Sequence, residues 1–238
     1  MLKKVLLICT MVVTGPLLAF SLSIDGTQTQ GKGTFALAVG SEYIARKDIV
    51  VKRNTTNNSF VSSKIKDLYR VYLRPSFGIV DGIDIYGKFG ITDYIGGERK
   101  NGVKQTWKAK QAFLSGAGIK ASYEISEGLI WGADLSFSYS ENRVNYETLP
   151  QNWRMSEWHF APYIGKLIGN LVPYVGVKYD DMRIKAHADN GDFYKYRAKH
   201  QFGPFLGVDY GIGEKICLNL EARFVSETGI SFSANYRF

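Results

Sequence analysis

The sequence predicts an all-β chain closed into an antiparallel transmembrane barrel of ten strands, with eight and twelve as the alternatives. Three observations carry this. The last ten residues alternate without a slip, Ile230, Phe232, Ala234, Tyr236 and Phe238 against Ser231, Ser233, Asn235 and Arg237. A strand between lipid and a polar interior reads this way. After residue 23 there is no run of about 18 apolar residues, so a spanning helix is not expected. The connections between alternating segments are short at one end and long at the other, as in barrels that cross a bilayer. A soluble β-sandwich would share the composition but does not explain a lipid-like face that runs to a terminal Phe.

Taken in order, residues 1–23 read as a secretory signal peptide. Lys3 and Lys4 give the positive start, Val5 to Phe20 the apolar run, and Ala19 to Ser23 the small residues for cleavage. Without it the formal charge falls from +8 to +6 and Cys217 is the one cysteine left, so no internal disulfide is expected. Residues 24–238 form the barrel domain, with 24–31 as a polar lead-in.

The first strand is Phe35 to Tyr43. The second, Leu68 to Ile79, sets Tyr69, Val71, Leu73, Pro75 and Phe77 against Arg70, Tyr72, Arg74 and Ser76. The third is Ile83 to Thr92, the fourth Lys110 to Tyr123, the fifth Leu129 to Tyr139, and the sixth Glu157 to Lys166. Val172 to Met182, a strand within Tyr194 to Tyr210, Ile216 to Val225 and the terminal stretch complete the ten. Short turns are expected near 81, 127, 169 and 212, and long polar loops at about 46–65, 95–108, 141–155 and 183–193. The link at Ser226 to Thr228 is a short exception. Glycines 78, 118, 165 and 207 recur at hairpin spacing, three of them preceded by a strand proline that should sit where pairing weakens.

The signal at 1–23, the alternating strands and the terminal Tyr236-Arg-Phe238 resemble the small outer-membrane β-barrels of Gram-negative bacteria, the OmpA/OmpX/opacity-like superfamily. The resemblance covers nearly all of the mature chain and is architectural. It implies export to the outer membrane, contact with the lipid bilayer and lipopolysaccharide, and a monomer. It also implies that the barrel-assembly machinery reads Tyr236 and Phe238.

With the apolar face toward lipid, the interior holds charges of both signs: Arg70, Arg74, Lys88, Asp134, Glu157, Lys178, Asp180, Arg197, Glu221, Arg223 and Arg237. Glu42, His159, Lys199 and Asp209 join them. Such groups pair across a narrow lumen, because an unpaired charge away from water is costly. The sequence therefore predicts a structural or narrow-channel, porin-like envelope protein. Surface binding or adhesion through the loops is the alternative, with basic groups such as Lys47, Lys52, Arg53 and Lys64 available to phosphates. Tyr43, Tyr94, Trp107, Tyr139, Trp153, Trp158, Tyr179 and Tyr196 fall at strand–loop borders and suit an interfacial aromatic girdle. His159 and His187 are weak catalytic candidates for a lipid A- or peptide-directed hydrolase, but no Ser-His-acid spacing supports them. The pattern contains no cofactor motif, metal cluster or nucleic-acid motif.

Overall fold

The computed structural model describes residues 26–54, 60–100, 103–146, 149–189, 191 and 193–238. The expected signal peptide lies outside the described residues. Among the described residues, twelve strands make one antiparallel sheet. They are β1 (Phe35–Asn54), β2 (Phe60–Val80), β3 (Ile83–Lys100), β4 (Val103–Ala109), β5 (Ala112–Ser126) and β6 (Leu129–Tyr146). β7 (Leu149–Lys166), β8 (Leu171–Ala188), β9 (Phe193–Ala198), β10 (Phe202–Ile212), β11 (Ile216–Arg223) and β12 (Thr228–Arg237) follow. The sheet closes on itself where β12 pairs with β1, from Ala36↔Arg237 to Arg46↔Thr228.

β4 and β5 are one wall strand interrupted at 110–111: β4 pairs with the upper part of β3 and β5 with its lower part. β9 and β10 divide β8 in the same way. The lower wall is thus a ring of ten, β1, β2, β3, β5, β6, β7, β8, β10, β11 and β12. The β11–β12 hairpin stops half-way up. Above it β9 pairs directly with β1, from Ile49↔Ala198 to Asn54↔Tyr194, and eight strands close the ring. The short connection at Ser226 to Thr228 is the tip of that hairpin. Ser226 N–H donates to Phe224 O at 3.0 Å across Val225, whose φ is 71°. This is a tight three-residue turn that a β-branched residue adopts only under strain.

Most of the described residues of the four expected long loops are instead strand. β1, β2, β3, β6, β7 and β8 run for 18 to 21 residues, about twice the ten or so that a bilayer crossing needs. The periodicity of two continues through the described residues of 46–52, 63–65 and 183–187, but its polarity inverts. In the lower part of β8, Val175, Val177 and Tyr179 face out while Lys178 and Asp180 face in; higher up, Met182, Ile184 and Ala186 face in while Arg183 and Lys185 face out. A segment that has left the lipid for water must hide its apolar face inside, as a soluble barrel does.

At the lower end Glu127 and Gly128 have φ of 38° and 79°, the doubly positive pair of a two-residue hairpin turn. Pro75 and Pro162 sit where the β2–β3 and β7–β8 ladders skip a pairing, as a residue without an N–H requires. The recurring glycines make room. An added Cβ at Gly118 or Gly207 would overlap the rings of Tyr86 or Tyr174, which lie across them from the neighbouring strand.

Candidate functional site: the filled lumen

Three tiers of side chains occupy the interior. The lowest is the chain's own lead-in. Thr27 donates through N–H and Oγ1 to the Asp209 carboxylate at 2.6 and 2.7 Å, and Gln30 N–H donates to Asp84 at 3.0 Å. Lys120 Nζ donates to Gly26 O at 2.6 Å, Tyr163 OH to Thr27 O at 3.1 Å, and Arg237 Nη2 to Thr29 O at 3.3 Å. Gly78 faces the backbone of Gly31 so closely that a Cβ there would collide with it. The segment after residue 25 is therefore folded into the lower mouth.

The middle tier is an ion network. Lys47 Nζ donates to Glu157 Oε1 at 2.7 Å, to Glu227 Oε2 at 2.9 Å and to Asp180 Oδ2. Arg70 Nη2 donates to Glu157 Oε2 at 2.8 Å, and Lys178 Nζ to Glu227 Oε1 at 2.9 Å. Arg223 Nη1 lies 3.0 Å from Glu227 Oε1. Glu42 links Arg70 and Lys88, at 3.5 and 3.4 Å. Glu221 accepts from Tyr174 OH at 3.1 Å. Five carboxylates, Glu42, Glu157, Asp180, Glu221 and Glu227, balance five cations, Lys47, Arg70, Lys88, Lys178 and Arg223. None of the ten is more than 4 % exposed. Just below, Tyr86 OH donates to Asp134 at 2.9 Å and Arg74 lies over the Tyr86 ring at 5.1 Å.

Two central members were not legible as interior groups. Lys47, expected in an outer loop, reaches the centre because β1 bulges between Ile44 and Arg46, which shifts the inward phase by one residue. Glu227, expected in a connection, is aimed inward by the strained turn at Val225. The broken alternation across Ile44, Ala45, Arg46 and Lys47 is the signal that could have found the first.

The upper tier is apolar. Trp153 is 0 % exposed, with its ring 4.4 Å from Trp107 and stacked 5.3 Å from Tyr196. Tyr94 meets Trp107 edge-on at 5.8 Å, and Ile49, Ile65, Met155, Met182 and Ile184 complete the cluster. Eight strands leave an interior just wide enough for side chains to fill. This corrects the girdle: Tyr94, Trp107, Trp153 and Tyr196 lie inside, above the membrane zone where the polarity has inverted. Tyr43, Tyr139, Trp158 and Tyr179 remain on the outer wall.

Arg197 and Lys199 are also corrected. They sit on the outer side, and Arg197 Nε donates to Asp181 Oδ1 at 2.7 Å. The break at 199–201 between β9 and β10 resets the alternation that extrapolation from Asp209 assumed. Arg237 lies at the lower mouth, half-buried against the lead-in. Tyr236 and Phe238 face outward, their rings 5.1 Å apart, and Phe238 also meets Phe35 at 5.4 Å.

The two histidines are not brought together. His187 is exposed on the outer wall with its ring 4.7 Å from Phe193. His159 is 5 % exposed, with Nε2 3.6 Å from Glu157 Oε2 and Nδ1 4.0 Å from Asp180 Oδ1. Glu157, His159 and Asp180 could together offer a metal three donor atoms within 4.8 Å of one another. The set does not fit a metal site, because the Lys47 ammonium already bridges both carboxylates. A dication would enter a balanced network in a low dielectric and leave its charge unmatched.

No protein-family profile and no curated protein matches the chain. Solved structures do. The outer membrane protease OmpT of Escherichia coli aligns with a TM-score of 0.50 at 8 % identity, over 90 % of this chain and 100 % of that one. The translocator domain of the autotransporter NalP from Neisseria meningitidis gives 0.48 at 11 % identity, over 90 % and 91 %. The outer membrane protein OprG from Pseudomonas aeruginosa gives 0.45 at 10 % identity, over 89 % and 99 %. At these identities the likeness establishes the fold alone, an all-β antiparallel barrel of the outer-membrane kind.

Proposed function

We propose that the protein is an outer-membrane barrel with a structural role in the cell envelope, its lumen filled rather than open. The observation that carries this reading is Lys47, 0 % exposed at mid-lumen and held by carboxylates from β7, β8 and the β11–β12 tip. A channel keeps its lining charges wet and weakly bound so that ions can enter and leave. Here the charges are desolvated and matched to one another, with the lead-in beneath them and the aromatic cluster above. The narrow-channel reading is correspondingly weaker. The hydrolase reading has an occluded His159 and a distant His187, exposed on the outer wall, to work with. The outward placement of Tyr236 and Phe238 at the last strand supports their role as the surface met by the assembly machinery. The test is planar-bilayer recording of the purified, heat-modifiable protein. No steady conductance steps are expected; regular steps would overturn the filled-lumen reading.

A second reading rests on the upper barrel. It projects past the lipid zone and presents a polar outer wall, a rigid platform for surface contacts.

A further inference from the structure

On the outer wall just above the lipid-facing zone, the register places cations directly opposite cations. Arg183 faces Arg197 and Lys185 faces Lys195 across β8–β9, and Arg46 faces Lys66 across β1–β2. These pairs lie on one continuous surface, because β9 is hydrogen-bonded to β1, with Val50 opposite Arg197. Like charges directly opposite each other destabilise a sheet. Asp181 and Asp48 answer part of the repulsion. Asp181 binds Arg183 at 2.6 Å and Arg197 at 2.7 Å, and Asp48 binds Arg46 at 3.0 Å. Asp67, beside Lys66, accepts from Tyr43 OH at 2.6 Å at the foot of the same face, so six cations against three acids still leave a patch of +3. Arg46 and Arg183 keep 55 % and 63 % of their side-chain surface open, so the patch faces outward and not into the wall.

The height of the patch identifies its counter-ion. Tyr43 and Tyr69 pack ring to ring at 5.0 Å on β1 and β2, and Tyr179 packs with Phe202 at 5.0 Å on β8 and β10. These rings mark the top of the apolar band, where aromatic side chains meet the headgroups. Arg46, Lys66 and Arg183 lie three or four residues farther along the same strands. At about 3.3 Å per residue and a tilt near 40°, that is roughly 8–10 Å farther from the bilayer centre, the level of lipid phosphates. We infer that this face, formed by β8, β9, β1 and β2, binds the phosphates of an anionic lipid headgroup in the surrounding outer leaflet. Several cations fixed on rigid strands can meet a doubly phosphorylated sugar headgroup at two points, which gives selectivity over a singly charged lipid.

The inference rests on the outer-membrane reading and can fail separately from it. The full chain, purified as a heat-modifiable barrel, is examined by native mass spectrometry with diphosphoryl lipid A, dephosphorylated lipid A, phosphatidylglycerol and inorganic phosphate. Adducts of diphosphoryl lipid A should survive at about tenfold lower lipid concentration than the dephosphorylated form, the scale expected for one to two charge contacts. Arg183→Gln with Arg197→Gln should remove most of that advantage, as should Arg46→Gln with Lys66→Gln; if one pair fails to fold, the other decides. Equal retention of both lipid A forms, unchanged retention in both variants, or equal displacement by inorganic phosphate would each overturn the inference. So would selective retention of phosphatidylglycerol. A wild-type mobility unaffected by boiling would instead overturn the barrel-in-membrane reading.

Discussion

The lower and upper halves of this barrel use one alternation for two solvents. Below the level of Asp180 the wall has ten strands, apolar outside and charged inside; above it, eight strands, polar outside and apolar inside. The ion network sits at the boundary. It is also where the β11–β12 hairpin ends and the wall loses two strands, so the narrowing and the inversion coincide. The interior chemistry follows from what surrounds the wall. In lipid, backbone closure is obligatory and polar groups retreat to the lumen. In water, the hydrophobic effect puts the same kind of wall inside out.

Lys47 at the boundary should give the largest effect. Lys47→Met leaves Glu157, Asp180 and Glu227 without their shared cation. Stranding buried charge costs about 3–5 kcal/mol, to be read as a shift in urea-unfolding midpoint in vesicles. Adding Glu227→Gln should recover part of the loss, whereas additive losses would mean that the network is not a unit.

In the upper half, Trp153→Ala removes a fully buried indole, a change in the 3–5 kcal/mol class. It should fall at the low end, since Trp107 and Tyr196 can close on the space. Trp158→Ala, five residues along the same strand but 51 % exposed toward lipid, should cost clearly less. Equal losses at the two tryptophans would dissolve the distinction between the halves.

Much of the lower half was legible in the sequence and little of the upper. Strict alternation, turn glycines and the terminal aromatic strand located ten crossings, because lipid on one side and a polar lumen on the other enforce a single pattern. The segments 46–65 and 141–155 read as polar loops for a physical reason: in their described residues the alternating pattern continues with its polarity reversed, and an average over the two faces looks hydrophilic. Trp153 and Arg154 are the plainest example, an inward Trp beside an outward Arg. Lys47 and Glu227 were hidden differently. Their directions depend on a bulge and on a positive φ, which are local backbone events that period counting cannot register.

A charge placed on each outer wall sharpens the boundary. Val175 faces lipid between Ile164 and Leu206, and Val175→Arg should cost about 2–4 kcal/mol in vesicles. Thr106→Arg on the exposed outer face of β4 should stay within about 0.5 kcal/mol. The two variants are compared by the same vesicle unfolding, and a large cost at residue 106 would extend the lipid zone over the upper half.

The smallest effect belongs to Asp181. Its ion pairs with Arg183 and Arg197 are short and its own side chain is only 7 % exposed, but the two arginine side chains keep 63 % and 36 % of their surface in water. Pairs whose cations stay in contact with water contribute about 0–1 kcal/mol and are screened by salt. Asp181→Asn should therefore lower stability only slightly, and the difference should shrink as ionic strength rises in the unfolding buffer. The same change removes one of three acids from the basic patch, so it should strengthen retention of diphosphoryl lipid A. The Lys47 network below it, sealed from water, should show no such salt dependence, which separates the wetted outer wall from the desolvated interior by ionic strength alone.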